Sequence, residues 1–226
     1  MRFRHLVSAA ALALSCTVLA GSASADTEAA RTFVEREHTQ IKKLVETNAA
    51  SDEVRKAIDN MVDYDQLAMR TFGKPCPPTV PSCTNHWDDP RLPTEQRLTP
   101  EQRVEVTALL RKLVEKNYHK NLNKTRDYDI TYRRALDQGE NISKIKTEAK
   151  SKVKPRDPAV QVDYIILGVG DRYRVVDIVT EGSSMVKNYY DQFHRMLTTA
   201  GQGYPYLAQK LRDKIAAKEK DAAAAK

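Results

Sequence analysis

The 226-residue sequence lacks the short motifs that mark most enzymes. It has no His-Glu-x-x-His, no Gly-x-Ser-x-Gly and no phosphate-binding loop. The histidines beyond residue 25 are scattered without metal-ligand spacing. Gly168 and Gly170 stand between two predicted strands, and no helix follows them to receive a phosphate, so they are not a dinucleotide fingerprint. We therefore expect no catalytic residue, no metal site and no cofactor.

Long hydrophobic runs are also missing after the first 25 residues, which have the pattern of a secretory signal peptide. Two arginines precede an apolar stretch at 6–20, and Ala-Ser-Ala at 23–25 is a small-residue cleavage site. Cleavage there would make Asp26 the first residue of an exported chain. Cys16 raises the alternative of lipidation, although the residues before it resemble a lipobox poorly.

Removing residues 1–25 leaves 201 residues, enough for one domain with a sizeable core. This part carries 35 basic and 30 acidic residues, a formal charge of +5. Such a balance permits attraction to anionic lipid surfaces or to an acidic partner, but an ordinary solvated surface explains it equally well. No basic-aromatic cluster points to nucleic acid, and we expect a monomer.

Only two cysteines remain, Cys76 and Cys83, in a proline-rich segment at 74–98 that holds six of the ten prolines. An oxidising compartment favours a disulfide that closes a small loop. The alternative is that both cysteines and His86 are zinc ligands, but no fourth ligand stands at suitable spacing.

The apolar spacing predicts helices before and after that segment. A helix over 27–48 is followed by one from Ser51, and a third begins at the cap Asp63, with Gln66 at the capping-box position. Thr-Pro-Glu-Gln at 99–102 starts a fourth helix. Two more follow residue 182, and residues 218–226 have little to bury, so we expect a disordered tail.

Between residues 126 and 180 the period changes to two. Strands are predicted from 126, over 142–153, 160–167 and 173–180, joined by short turns. The sequence thus predicts an α+β fold in which helices pack on a curved four-stranded antiparallel sheet.

Several segments, in this order, resemble the MlaC family. They are Val-Asp-Tyr-Asp-Gln-Leu-Ala at 62–68, Leu-Thr-Pro-Glu-Gln-Arg at 98–103, the strand pair 162–164 and 173–179, and the stretch Glu-Gly-Ser-Ser-Met-Val-Lys-Asn-Tyr-Tyr-Asp-Gln-Phe at 181–193. The resemblance covers nearly the whole chain after residue 25, so the MlaC-like domain is expected over 26–217. The chain departs from the family at Tyr190, where an arginine is usual, at Ser183 and Tyr173, and in the 74–98 insertion.

Members of that family are periplasmic carriers of phospholipid. The resemblance implies a shuttle between an inner-membrane ABC transporter complex and an outer-membrane lipoprotein complex, with acyl chains held in a hydrophobic pocket between sheet and helices. Related members are associated with hopanoids, so a polycyclic ligand is an alternative.

The candidate lipid-lining residues are the apolar members of the strands and long helices, any of which could instead be ordinary core. They are Leu109, Leu113, Tyr118, Ile130, Tyr132, Val162, Tyr164, Ile166, Val175, Val179, Met185, Tyr189 and Phe193. Asp177 and Gly182 are expected to be structural, with Asp177 accepting hydrogen bonds from the start of the next helix. Two other functions stay open: a small enzyme using Asp177 and a nearby tyrosine, and an adaptor with a solid core.

Overall fold

The computed structural model describes residues 22–73 and 84–224, and within these ranges the side chains of 22–25, 51, 118–125 and 221–224 are left undescribed. The described elements are α1 (Ser22–Glu46), α2 (Ser51–Met61), α3 (Tyr64–Thr71), a 3₁₀ turn (Thr94–Gln96), α4 (Pro100–Thr125), β1 (Tyr128–Asp137), β2 (Ile142–Ser151), β3 (Val160–Val169), β4 (Arg172–Thr180), β5 (Ser183–Ser184), α5 (Met185–Thr198) and α6 (Gly203–Ala224). Among the described helices, none combines the length and apolar character needed to cross a membrane.

The sheet is antiparallel with the order β1-β2-β3-β4-β5, which confirms the α+β prediction with one strand more than expected. The additional strand has only two residues, both serines, too short for a periodicity signal. A tight turn creates it, because Glu181 and Gly182 both have positive φ, 49° and 77°. Positive φ at both central residues is the geometry of the two-residue hairpin turn, and it is easiest for glycine.

Two β-bulges decide which side chains share a face of the sheet. One lies in β1 after Tyr132, and the other in β4, where Ile165 pairs with Asp177 but Ile166 pairs with Val175. Because each bulge inserts one residue, the alternation is reset beyond it. We call the face that packs on α1 the inner face. Its cross-strand rows are Ser143–Ile166–Val175, Ala135–Ile145–Tyr164–Ile178, Tyr132–Thr147–Val162–Thr180 and Ile130–Ala149–Val160.

The two predicted helix starts form as capping motifs. At Thr99 the box is complete: the Gln102 amide donates to Thr99 Oγ1 (3.3 Å), and the Thr99 amide donates to Gln102 Oε1 (2.9 Å). At Asp63 only half of it forms, with the Gln66 amide donating to Asp63 Oδ1 at 2.9 Å. The Asp63 amide is engaged elsewhere, because it donates to the carbonyl of Val175 at 3.0 Å and so fixes the α2–α3 junction to β4.

Buried side chains form two separate hydrophobic cores. The first joins α1 and α2 to part of the inner face, through residues such as Val34, Ile58 and Ile145. The second joins α3, α4, α5 and α6, with Phe72 stacked on Phe193 at 5.1 Å between ring centroids. The domain is therefore a helix-backed sheet with a four-helix cluster beyond its β4 edge.

Three predictions fall at the limits of what is described. Cys76 and Cys83 lie outside the described residues, so their disulfide stays a prediction, and so does the signal peptide. The last helix continues as far as Ala224, into the 218–226 segment that was expected to form a tail. Alanine and lysine dominate that segment, and both are strong helix formers.

Candidate functional site

On β1, β3 and β4, exposure rises along the inner face from one end of the sheet to the other, whereas the inner residues of β2 are buried in every row. In the first row Ile166 and Val175 are 0% and 2% exposed. In the next rows Tyr164, Ile178 and Val162 are half-buried. In the last row Ile130 is 39% exposed, although its register partner on β2, Ala149, is buried. We call the last two rows the open half of the face, because there the described side chains leave parts of β1, β3 and β4 exposed.

A groove of about 460 Å³ begins at this open half. Its lining residues come from β4, β5, α5 and α6: Ile178, Thr180, Ser183, Met185, Asn188, Tyr189, Gln192 and Lys214. That volume falls within the roughly 300–1,000 Å³ usual for small-molecule sites. Apolar groups from the sheet and α5 line the groove, while amides, hydroxyls and one lysine stand at its rim.

The rim lysine is held in a defined position. Lys214 Nζ donates to Oε1 of Gln192 at 2.9 Å and lies 5.9 Å from the ring centroid of Tyr189. Burial raises the pKa of the Tyr189 phenol, so this group is neutral at physiological pH. A single cation beside neutral hydroxyls and amides suits an anionic head group better than a cationic one.

Four of the predicted lining residues lie in solid core. Leu113 and Phe193 are each 1% exposed within the second core, and Ile166 and Val175 belong to the first. A side chain without exposed surface contacts only protein atoms. These four therefore do not line the open half of the sheet in this structure.

The remaining predicted residues divide between the groove and other places. Met185 and Tyr189 line it, Tyr132 and Val162 lie in the open half, and Tyr164 lies in the adjacent row against the first core. Leu109 packs against the second core, and the side chain of Tyr118 lies outside the described residues. Val179 is on the outer face, because its register partner is Asp163 and the β4 bulge turns it away from Val175.

A polar cluster that the sequence did not reveal stands at the boundary between the filled and open halves. His38 Nδ1 is 2.7 Å from the hydroxyl of Tyr132, and its ring meets the Tyr164 ring edge-on at 4.8 Å. Burial lowers the pKa of His38 to about 4. The imidazole is therefore neutral at physiological pH and can share one hydrogen bond with the phenol.

Asp177 joins β4 to α5, the structural role that the sequence favoured over catalysis. Its Oδ1 accepts from the amides of Ile178 (2.7 Å) and Val186 (3.0 Å), and its Oδ2 accepts from the hydroxyl of Ser184. Ser184 Oγ in turn accepts from the Lys187 amide at 3.0 Å and caps the helix. Both carboxylate oxygens are thus engaged by the first turn of α5.

Tyr190, which stands where the MlaC family usually has arginine, is hydrogen-bonded to Thr84 within the proline-rich segment. Its hydroxyl donates to the carbonyl of Thr84 (3.1 Å) and accepts from the same residue's amide (3.2 Å). Its ring stacks on His194, whose Nδ1 is 2.8 Å from Nε2 of the buried His86. Within the described ranges, no group of three or more potential metal ligands occurs.

These features define a class of protein: an α+β domain in which a curved antiparallel sheet, half covered by helices, leaves an apolar groove beside a helical cluster. The MlaC protein family has a sequence profile that matches residues 94–213, more than half of the chain. The protein belongs to the MlaC family. No curated protein matches it by sequence.

Among solved structures, the fold is similar to that of a phospholipid-binding protein from Ralstonia solanacearum, determined in complex with a phospholipid. The two share 17% sequence identity and superpose with a TM-score of 0.62. The alignment covers 86% of this chain and 98% of the other. At this identity the similarity establishes the common fold.

Proposed function

We propose that this protein carries phospholipid through the periplasm, with the acyl chains held against the open half of the inner face. It would receive or deliver its cargo at an inner-membrane ABC transporter complex and an outer-membrane lipoprotein complex. The observation that carries the proposal is the apolar surface that the described side chains leave exposed in the open half of the sheet. Membership of the MlaC family, and the fold shared with a protein solved with a phospholipid, support it.

The physical reason is the hydrophobic effect. Exposing one acyl methylene to water costs about 0.8 kcal/mol, so a chain of about a dozen methylenes costs on the order of 10 kcal/mol. A carrier must offer apolar surface that its own side chains leave free. Val162 offers such surface on β3 and Met185 offers it from α5, while Ile178, half-buried against the first core, contributes its remaining exposed part to the groove.

Carriage needs a binding surface and no reactive group. The enzyme alternative relied on Asp177, whose two carboxylate oxygens already accept three hydrogen bonds from the chain's own amides and hydroxyl. A catalytic carboxylate needs an oxygen within reach of its substrate. We therefore assign no reaction to the groove.

A charge placed on the open half tests the proposal. In Val162→Glu a carboxylate would stand where an acyl chain is expected, and burying it would cost several kcal/mol. Val169→Glu is the matched control, because Val169 lies on the same strand, is 55% exposed and stands at the opposite end of the sheet. We expect the first variant to lose most of its bound phospholipid and the control to retain it. Equal loading of both would contradict the proposed position of the cargo.

Export is tested separately. Cell fractionation and amino-terminal sequencing should find the protein in the periplasm with Asp26 as its first residue. An intact amino terminus in the cytoplasm would refute this part of the proposal.

A further inference from the structure

The hairpin that connects β2 to β3 carries a dense positive charge. We call residues 150–158 the basic tip: they include Lys150, Lys152, Lys154 and Arg156, against one acid, Asp157. Residues 152–158 are all exposed. Among the four cations stands Val153, whose side chain is 66% exposed, one of the most exposed large apolar residues in the described part of the chain. The sequence predicted a strand over 142–153, but β2 ends two residues before this valine, at Ser151.

Few protein groups neutralise these cations. Many basic residues elsewhere are paired, such as Arg111 with Glu115 and Lys144 with Asp163. Lys150 Nζ donates to the carbonyl of Asp157. In the ranges that the structure describes, the side chains of Lys152, Lys154 and Arg156 take part in no ion pair.

The tip is nevertheless held in a fixed shape. The Lys154 amide donates to Ser151 Oγ at 3.0 Å, and the Asp157 amide donates to the carbonyl of Lys154 at 3.1 Å. Pro155 and Pro158 restrict the backbone further. A pre-organised set of cations loses less entropy on binding than a flexible one.

Strand register places the basic tip at the end of the sheet where the groove lies. Ala149 pairs with Val160 at the base of the hairpin, and Val162 pairs with Thr180 of the groove. The amide of Glu181, in the turn beside the groove, donates to the carbonyl of Gln161 at 3.0 Å. A surface that bound the tip would therefore meet the end of the molecule that carries the groove.

We propose that the basic tip docks the protein on the surface of an anionic phospholipid bilayer. The lysine and arginine side chains contact lipid phosphates, and Val153 enters the interfacial region between head groups. The inference rests on the proposed function, since docking would bring the groove close to the membrane with which it exchanges lipid. Charge complementarity and the exposed valine favour a bilayer over an acidic protein surface, which offers no apolar layer for Val153.

The test compares two variants, each with two charge-reversing substitutions. Both are purified from cells in the form that the cells produce. Lys152→Glu with Lys154→Glu alters the tip. Lys56→Glu with Arg172→Glu makes the same change in net charge on α2 and at the β3–β4 turn, where both residues are exposed and the register places Arg172 at the opposite end of the sheet. Binding is measured by co-sedimentation with vesicles of phosphatidylcholine and phosphatidylglycerol, and with phosphatidylcholine vesicles alone.

Each cation near an anionic surface contributes about fivefold in affinity at low salt, so the tip variant should bind the anionic vesicles at least about 25-fold more weakly. The control variant should stay within a few fold of the unaltered protein. Val153→Ser should weaken binding several-fold without changing the net charge, and neutral vesicles should bind poorly. Salt near 1 M should abolish the difference, since the Debye length is then about 3 Å.

Equal losses in the two double variants would overturn the proposal, because net charge alone would explain them. Full vesicle binding by the tip variant, or no vesicle binding by any form of the protein, would also overturn the proposal. The cations would then serve solubility or contact an acidic protein. Bound lipid is measured on the same samples by native mass spectrometry. If the protein holds lipid but does not bind vesicles, only the proposed membrane docking is refuted. If it binds vesicles but never holds lipid, the proposed lipid carriage is refuted.

Discussion

Truncating two side chains on one strand tests whether the inner face is filled at one end and open at the other. Ile166 and Val162 both point to the inner face of β3, four residues apart. Ile166 is 0% exposed within the first core, so Ile166→Ala should leave a cavity and lower the free energy of unfolding by about 2–5 kcal/mol. Val162 is half-buried, so Val162→Ala removes two methyl groups that are already partly in water, at a cost of about 1 kcal/mol or less.

The assay is urea unfolding of delipidated protein, followed by far-ultraviolet circular dichroism and by the fluorescence of Trp87, the single tryptophan. Delipidation is needed because a ligand that binds only the folded state adds to its stability. Agreement between the two signals would show that both cores unfold together. Equal losses in the two variants, or a larger loss for Val162→Ala, would refute the division of the inner face.

Three further outcomes follow from the contacts. Burial depresses the folded-state pKa of His38 from 6.5 to about 4, so the unfolded chain binds more protons than the folded chain between these pH values. The free energy of unfolding should therefore fall as the pH is lowered through this window, by at most about 3 kcal/mol. His38→Gln should remove that part of the pH dependence in denaturation experiments. Asp177→Ala leaves the Val186 amide without its acceptor and should cost about 1–3 kcal/mol in urea unfolding, while the bound lipid is retained; loss of lipid with unchanged stability would contradict the structural role. Gly73→Ala brings a Cβ to 2.2 Å from the Thr84 carbonyl oxygen and should lower the melting temperature far more than Gly139→Ala, which meets nothing within 4 Å; similar shifts would show that φ strain alone matters.

Local signals in the sequence were sufficient for the six helices and the four long strands, and for their order. Thr99 and Asp63 carry recognisable capping patterns, and both start helices. The alternation of lysines with apolar residues in β2 matches its alternating burial. Each of these features depends on residues only a few positions apart, so a single sequence is enough to recognise it.

The faces of β4 could not be predicted, because the bulge that sets them depends on pairing with β3. Strict alternation places Val175, Asp177 and Val179 on one face. The inserted residue leaves Val175 on the inner face and turns Asp177 and Val179 outward, which also explains how a carboxylate fits within an apolar strand. The pairing register of β3 and β4 is a long-range property, so no pattern within β4 predicts it.

The sequence also did not indicate which apolar residues belong to the core and which line the groove. Ile166 and Val162 look alike as neighbours on a hydrophobic strand. What distinguishes them is how closely the side chains of the first core pack on each: Ile166 belongs to that core, whereas Val162 does not. The His38–Tyr132 contact depends on the same packing and spans 94 positions in the chain.

Native mass spectrometry of the protein purified without detergent, followed by chemical identification of whatever it releases, tests whether the molecule carries phospholipid. We expect a stoichiometric adduct with the mass of a phospholipid, removable by denaturation and restored by incubation with lipid. Protein that stays empty before and after exposure to lipid would contradict this expectation, and an adaptor with a solid interior would then be the better description.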